Sequence, residues 1–192
     1  ITSGTYNTAI GRHTFGSTTA LSTGSYNIAV GEGALYDNTT GVDNIGIGVN
    51  ALVSNNTGQS NIAIGRDALT RNGADYNTAV GDRAGYSITS GFYNTALGRN
   101  TFGSTTALMT GTRNVAIGEA ALYDSTSGAY NVGIGYNALS ANTTGENYTA
   151  VGYNALASVN NGSGFGSSAF GSNALTNTVT GTFNSAFGYV AL

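Results

Sequence analysis

The 192-residue sequence contains no cysteine, proline, tryptophan or lysine, and only 8% of its residues are charged, against about 25% in an ordinary soluble domain. The absence of cysteine excludes disulfides, thiolate metal sites and thiol nucleophiles. Six arginines and a net charge of −3 provide no basic surface for nucleic acid or anionic lipid. No apolar run approaches the roughly 20 residues of a membrane span.

Glycine, by contrast, is abundant, with 30 copies, and many of them close a short repeat. The unit Asn-x-Ala-aliphatic-Gly first occurs at residues 7–11 and is found eleven times, with closing glycines mostly 17 residues apart. Residues 1–4 and 14–21 return after a displacement of 87. We therefore expect one repetitive domain over 1–192, with super-repeats 1–87 and 88–174 and the start of a third at 175–192. The start at Ile1 and the end within a unit suggest a fragment of a longer protein.

Each unit has a second landmark, in most copies Ala-Leu, three residues after the closing glycine, followed by a polar turn such as residues 38–41. Two breakers in 17 residues leave no room for a helix. The sequence predicts an all-β fold: a parallel β-roll, or β-solenoid, with one unit and two short strands per coil. Stacked at about 4.8 Å, eleven such coils would form a rod of roughly 50 Å.

Alternation along a strand gives each unit two faces. Position four is apolar in every copy, and we expect it to face the core: Ile10, Val30, Ile47, Ile64, Val80, Leu97, Ile117, Ile134, Val151, Phe170 and Phe187. Position three is always Ala or Gly, which indicates a close neighbour, either the opposite wall of a thin roll or, as we favour, another chain. This trimer or close-packing seam comprises Ala9, Ala29, Gly46, Ala63, Ala79, Ala96, Ala116, Gly133, Ala150, Ala169 and Ala186.

Two further columns predict contacts between coils. The motif asparagines should form a structural amide ladder that also satisfies backbone groups at the corner. The residue after the closing glycine is often charged, with opposite signs as neighbours. The predicted ion ladder consists of Arg12, Glu32, Arg66, Asp82, Arg99 and Glu119. Each exposed pair would contribute little stability, but a slip of one coil would bring unlike partners together.

Residues able to support catalysis are few. His13 is the only histidine and occupies a corner position where other copies have asparagine, so we expect a surface residue and no catalytic triad. The paired carboxylates Glu32 with Asp37 and Glu119 with Asp124 are the only plausible glycosidase acids, and no aspartate recurs in every coil to form a calcium ladder. We expect no catalytic residue, metal or cofactor.

Tyrosine supplies most of the aromatic surface, with 12 copies. Exposed tyrosines can stack on sugar rings or anchor protein contacts. Tyr136 and Tyr153 are the best candidates for an exposed ligand-binding patch, followed by Tyr36 and Tyr123.

The Asn-x-Ala-Ile-Gly signature followed by Ala-Leu resembles the head repeat of trimeric autotransporter adhesins of the YadA-like type, and is similar to repeats of phage tail-fibre proteins. The resemblance extends over the whole chain. It implies a left-handed parallel β-roll assembled as a homotrimer, on a bacterial cell surface or in a phage virion tail fibre. The period of 17 is longer than is usual in adhesin heads, and no neck, stalk or anchor is present in the sequence.

We therefore expect a non-enzymatic, extracellular fibre or adhesin segment that attaches to a surface glycan or protein of a cell or host, with no nucleic-acid partner and no membrane span. The first alternative is a self-assembling structural filament. A depolymerase tailspike and an ice-binding or mineral-binding solenoid are weaker alternatives. The latter needs a regular threonine column, whereas the threonines here are scattered.

Overall fold

The computed structural model describes residues 3–16, 22–159, 166–177 and 181–192. All of its named elements are three-residue strands, one in each repeat unit. They are β1 (Thr8–Ile10), β2 (Ile28–Val30), β3 (Ile45–Ile47), β4 (Ile62–Ile64), β5 (Thr78–Val80), β6 (Thr95–Leu97), β7 (Val115–Ile117), β8 (Val132–Ile134), β9 (Thr149–Val151), β10 (Ser168–Phe170) and β11 (Ser185–Phe187). This described part contains no helix long and apolar enough to cross a membrane.

The strands form a single parallel sheet of eleven strands in sequence order. Equivalent positions of successive units lie opposite one another: Gly46 pairs with Ala63, and Ile64 of β4 pairs with Val80 of β5. The prediction of an all-β parallel solenoid with one unit per coil is therefore confirmed. The register of the sheet is the same across the longer units, as in the pairing of Ala96 with Ala116, although their closing glycines are 19 or 20 residues apart.

Each strand ends at its closing glycine. Neighbouring coils approach closely there, and the glycine has a backbone conformation that L residues rarely adopt. Gly48 has φ +131°, and a β-carbon at this position would lie 2.5 Å from the carbonyl oxygen of Gly65 in the next coil. Only glycine combines a positive φ with such a close approach. The repeat can therefore continue only while a glycine returns at this position.

The Ala-Leu segment differs from the prediction, since it forms a turn instead of a second strand. Leu52 has φ +54°, which places it in the left-handed region and interrupts an extended conformation. Its backbone N–H nevertheless donates a hydrogen bond of 3.0 Å to the carbonyl of Ala68 in the next coil. Gly85 occupies the same position in the one unit that has neither leucine nor phenylalanine there, and fully buried Ile88 lies beside it.

The core of each coil is formed by the leucine of this turn and the small residue at position three of the strand. Ala63 and Leu52 are both fully buried. A β-carbon on Gly46 would lie 3.4 Å from Cγ of Leu35 and 3.2 Å from the carbonyl oxygen of Ala51. The roll is so thin that little more than a methyl group fits between its two walls.

The prediction that position four faces the core is therefore wrong. Position four points away from the core: Ile47 is 36% exposed and Leu97 is 45% exposed. Of the two neighbours considered for the small column, the opposite wall of the same roll covers it, so the column is a close-packing seam within one chain and not the contact with another chain that we favoured. The buried members are Ala29, Gly46, Ala63, Ala79, Ala96, Ala116, Gly133, Ala150, Ala169 and Ala186, whereas Ala9 in the first coil is exposed.

The amide ladder expected from the motif asparagines is present and buried. The backbone N–H of Asn61 donates to Oδ1 of Asn44 at 3.0 Å, and its side-chain Nδ2 donates to the carbonyl of Ala74 at 2.7 Å. Its own Oδ1 accepts the backbone N–H of Asn77 at 2.9 Å. Nδ2 of Asn61 also donates to Oδ1 of Asn44 at 3.1 Å. One side chain thus satisfies groups in both neighbouring coils, as buried polar groups require. Tyr148, which interrupts the column, is also fully buried.

We predict that Ala63→Leu lowers the thermal stability, because the enlarged side chain has no space between the two walls of the roll. Overpacking of this kind costs about 1–3 kcal/mol of unfolding free energy. The matched control is Ile64→Leu at the adjacent, outward-facing position, which conserves volume. Thermal melting followed by circular dichroism measures both variants, and equal melting temperatures would contradict the inward placement of Ala63.

Candidate functional site

The charged residues that follow the closing glycines form three ion pairs between neighbouring coils. Arg66 binds Asp82 through two contacts, from Nε to Oδ1 at 2.9 Å and from the terminal nitrogen to Oδ2 at 3.0 Å. The other pairs are Arg12 with Glu32, at 3.4 Å, and Arg99 with Glu119. No ion pair in the described part joins Asp82 to Arg99, so the six predicted residues form separate pairs instead of a continuous ladder.

Electrostatics within this column favour the ionised form of Asp82. The hydrogen bond from Arg66 has the largest effect and lowers the pKa of the Asp82 carboxyl. Burial opposes it, while the positive charges of Arg66, Arg83 and Arg99 act in the same direction as the hydrogen bond. The side chain of Arg66 is 63% exposed, so solvent screens the pair and its stabilising effect is small. The ion pairs therefore contribute more to the correct register of the coils than to the stability of the fold.

Tyr136 and Tyr153 lie next to each other on the surface, as the sequence predicted for an aromatic patch. Their ring centroids are 5.3 Å apart and the ring planes differ by 11°. The two side chains are 44% and 52% exposed. They continue the column of the ion pairs directly above Glu119, so a stacked aromatic surface adjoins a charged one.

Tyr36 and Tyr123 do not join this patch. Tyr36 is half-buried and contacts His13, with ring centroids 6.1 Å apart. The pair lies beside a shallow depression of about 310 Å³ that also includes Glu32. Tyr123 is half-buried in the corresponding turn of another coil. The four predicted tyrosines therefore do not form a single site.

The candidate catalytic residues Glu32, Glu119 and His13 lie on the surface of the roll. Glu32 and Glu119 each form an ion pair with an arginine of a neighbouring coil. His13 is an exposed corner residue with φ +58°. Among the residues the structure describes, no group of three or more histidine or acidic side chains could hold a metal ion.

A notch with a volume of about 620 Å³ lies in the polar turns before β5. In the preceding turn, Nδ2 of Asn55 donates to the carbonyl of Gly58, three residues ahead. The equivalent amide of Asn72 donates to the carbonyl of Ala74, only two residues ahead. The turn is therefore one residue short, and the missing residue leaves the notch. The 16-residue spacing between the surrounding closing glycines is the signal in the sequence that marks it.

An aromatic stack rises from the notch along the corner of the roll. Tyr76 and Tyr93 stack with ring centroids 4.9 Å apart and an angle of 9° between planes. The guanidinium of Arg113 lies 5.4 Å from the Tyr93 ring centroid and 5.6 Å from that of Tyr130. Phe92 packs edge-on against Tyr93. The stack lies in the column directly before the motif asparagine, and sequence reasoning did not distinguish it from the other tyrosines of that column.

Comparison of the chain with family models, curated proteins and solved structures gave no match. The resemblance of the repeat to adhesin heads and tail fibres thus stays a prediction, and arguments about function depend on the surfaces described above.

We predict that Asp82→Asn lowers the melting temperature slightly at neutral pH and low salt. The folded protein holds the pKa of Asp82 below its usual value of 3.8, so the carboxylate stabilises the fold above that pH and loses its effect as the pH falls through the folded pKa. The difference from wild type should vanish at acid pH and in high salt. A difference that persists at pH 2 in melting experiments would contradict the ion-pair origin.

Proposed function

We propose that the chain is a non-enzymatic segment of an extracellular fibre or adhesin, wound as a left-handed roll, assembled as a homotrimer and used for attachment to a cell or host surface. The observation that carries the proposal is the outer face of the sheet. That face is apolar along much of the ladder and has nothing packed on it within the described residues.

The apolar face is formed by strand positions two and four. In the central coils it includes Ile45 and Ile47 of β3 and Ile62 and Ile64 of β4, all of which are exposed or half-buried. Contiguous exposed apolar surface of this kind marks an interaction site on a soluble protein. The apolar columns run along the sheet with one strand per coil. A partner that covers them must therefore present apolar groups at the same spacing.

A second and third copy of the same chain meet this requirement, since they have the same repeat and the same apolar columns. Packing three such faces around a common axis would remove them from water, and burial of apolar area is favourable at about 25 cal/mol per Å². Three-fold symmetry is supported by the resemblance of the repeat to trimeric adhesin heads. In this arrangement the seam is the aliphatic face, not the alanine column.

Attachment is supported by the exposed aromatic surfaces at the corners of the roll. The stacked pair Tyr136 and Tyr153 offers flat, accessible rings, and aromatic residues frequently anchor recognition surfaces. Three copies of a weak site on one rigid rod bind a multivalent surface with high effective concentration.

A structural filament is the second candidate. Every coil pairs with its neighbours in the same parallel register, from β1–β2 to β10–β11. A ladder of equivalent pairings can be extended by further coils of the same repeat. Growth of the particle along its axis with concentration would favour this function over attachment.

We predict that the wild-type chain is a trimer in solution and that Ile64→Lys dissociates it. A three-fold axis brings three copies of the new ammonium group together in an apolar seam, where like charges repel and lose hydration. Sedimentation equilibrium or light scattering measures the mass. Val49→Lys, at a position where other coils have arginine, is the control and should stay trimeric.

A wild-type monomer or dimer at micromolar concentration would contradict the proposed assembly. So would a trimer that survives Ile64→Lys, because that result would place the seam on another face.

We also predict that replacing Tyr136 and Tyr153 together by alanine reduces adhesion of chain-coated beads to cells. The exposed rings contribute contact area to a partner but little to the core, so the melting temperature should remain within about 2 °C of wild type. Bead counts by microscopy measure adhesion. Unchanged adhesion would remove this patch from the attachment surface.

A further inference from the structure

We propose that the notch beside Asp75 is a binding site for an uncharged saccharide ring. This inference deepens the proposed attachment function and rests on it, since it names the chemistry of a surface ligand. It is independent of the patch at Tyr136 and Tyr153, which belongs to a different column of the roll.

One face of the Tyr76 ring is left uncovered by its neighbours in the corner column. In the corner column Tyr76 stacks on Tyr93, and Tyr93 is covered in turn by Arg113. On the other side of Tyr76, the equivalent position of the preceding coil holds Ser60, which is too small to cover a ring. No other ring or guanidinium of the described residues stacks there, and Tyr76 is 50% exposed. The free face borders the notch, where the C–H face of a sugar can stack on it.

A set of polar groups surrounds the same cavity. Oδ1 of Asp75 accepts the backbone N–H of Gln59 at 2.8 Å, which fixes the carboxylate, while Oδ2 has no hydrogen-bond partner in the described part. Gln59 supplies a side-chain amide and Thr40 and Thr57 supply hydroxyls to the lining. Carboxylate, amide and hydroxyl groups beside an aromatic face match the alternating hydroxyls and C–H surface of a pyranose.

Backbone hydrogen bonds between coils hold the elements of this site in place. The backbone N–H of Tyr76 donates to the carbonyl of Gln59 at 3.0 Å, and that of Tyr93 donates to the carbonyl of Asp75 at 3.4 Å. These contacts between coils fix the aromatic rings and the carboxylate relative to each other. A preformed site requires little ordering on binding, and its volume of about 620 Å³ lies in the range of small-molecule sites, about 300–1,000 Å³.

Charge selects the class of saccharide. Asp75 is the only ionisable carboxylate that lines the notch, and no basic side chain lines it. A uronic acid or sulfated sugar would therefore bring a second negative charge next to Asp75 without compensation. A peptide is less well matched, because the cavity has no unoccupied strand edge to pair with a backbone. The favoured ligand is an uncharged hexose or N-acetylhexosamine unit.

The test uses the full chain with lactose, maltotriose and chitotriose as neutral probes and a hyaluronan tetrasaccharide as the anionic probe. Saturation-transfer NMR detects contact, and titration by calorimetry gives affinity. We expect at least one neutral probe to bind and the anionic probe not to bind. Contact signals should come from the C–H groups of the sugar face.

Tyr76→Asn should weaken that binding about tenfold, in line with the loss of one aromatic contact. Asparagine is chosen because it tolerates the positive φ of this position, +59°. The matched control is Tyr26→Asn, which changes an exposed tyrosine with φ +60° at the same position of another coil and should bind as wild type. Asp75→Asn should also weaken neutral-probe binding, since it exchanges a charged acceptor for a neutral one.

The decisive variant has one threonine inserted before Gly73. The insertion gives this turn the same length as the neighbouring turns and fills the notch. It should abolish saccharide binding while leaving the melting temperature and the oligomeric mass unchanged. Binding that survives this insertion, or absence of binding to every neutral probe, would overturn the saccharide site.

Failure of the notch and failure of the attachment function give different results. If beads coated with the wild-type chain adhere to cells but the wild-type chain binds no neutral probe, the result contradicts the notch alone. A chain that binds a neutral probe but adheres to no cell or glycan-coated surface contradicts the attachment function alone.

Discussion

The closing glycines impose the constraint from which the rest of the structure follows. At Gly31 a β-carbon would lie 2.7 Å from the carbonyl oxygen of Gly48 in the next coil, a distance that no side chain tolerates. This close approach sets the strands in register, which in turn brings each motif asparagine within hydrogen-bonding distance of the next. The inner wall of alanine and leucine forms only because the coils are held at that spacing. Core, ladder and surface columns are therefore consequences of a single backbone contact repeated along the chain.

The sequence predicted the coil correctly because its period is set by residues with unambiguous roles. Glycine at a fixed interval, asparagine at the start of the strand and opposite charges in neighbouring units each have one simple structural explanation. The direction of the strand faces was not predictable in the same way. Alternation separates Ala63 from Ile64, but both are apolar, and the usual expectation that the larger one is buried fails when the roll is too thin to admit it. The turn conformation of Leu52 was also hidden, since leucine has no preference for positive φ.

The same distinction separates the candidate sites that could be predicted from the sequence from those that could not. Arg66 with Asp82 and Tyr136 with Tyr153 were predictable because they occupy one column, and column neighbours become spatial neighbours in any stacked coil. The notch at Asp75 arises because the turn before β5 is one residue shorter than the neighbouring turns. The spacing in the sequence records the shorter turn, but only the structure shows that it leaves a cavity. Arg113 between Tyr93 and Tyr130 is a substitution within a tyrosine column, and its stacking role follows from geometry that the residue type alone does not indicate.

The direction of the hydrogen bonds between coils has a mechanical consequence. Most of the backbone bonds outside the sheet, such as that from Leu52 to Ala68, join one coil to the next and run along the rod. Tension applied along the rod therefore opens the terminal coil while the others stay folded. Each coil released adds roughly 55–60 Å of extended chain, so the molecule lengthens in equal steps under load and dissipates force instead of transmitting it all to its point of anchorage.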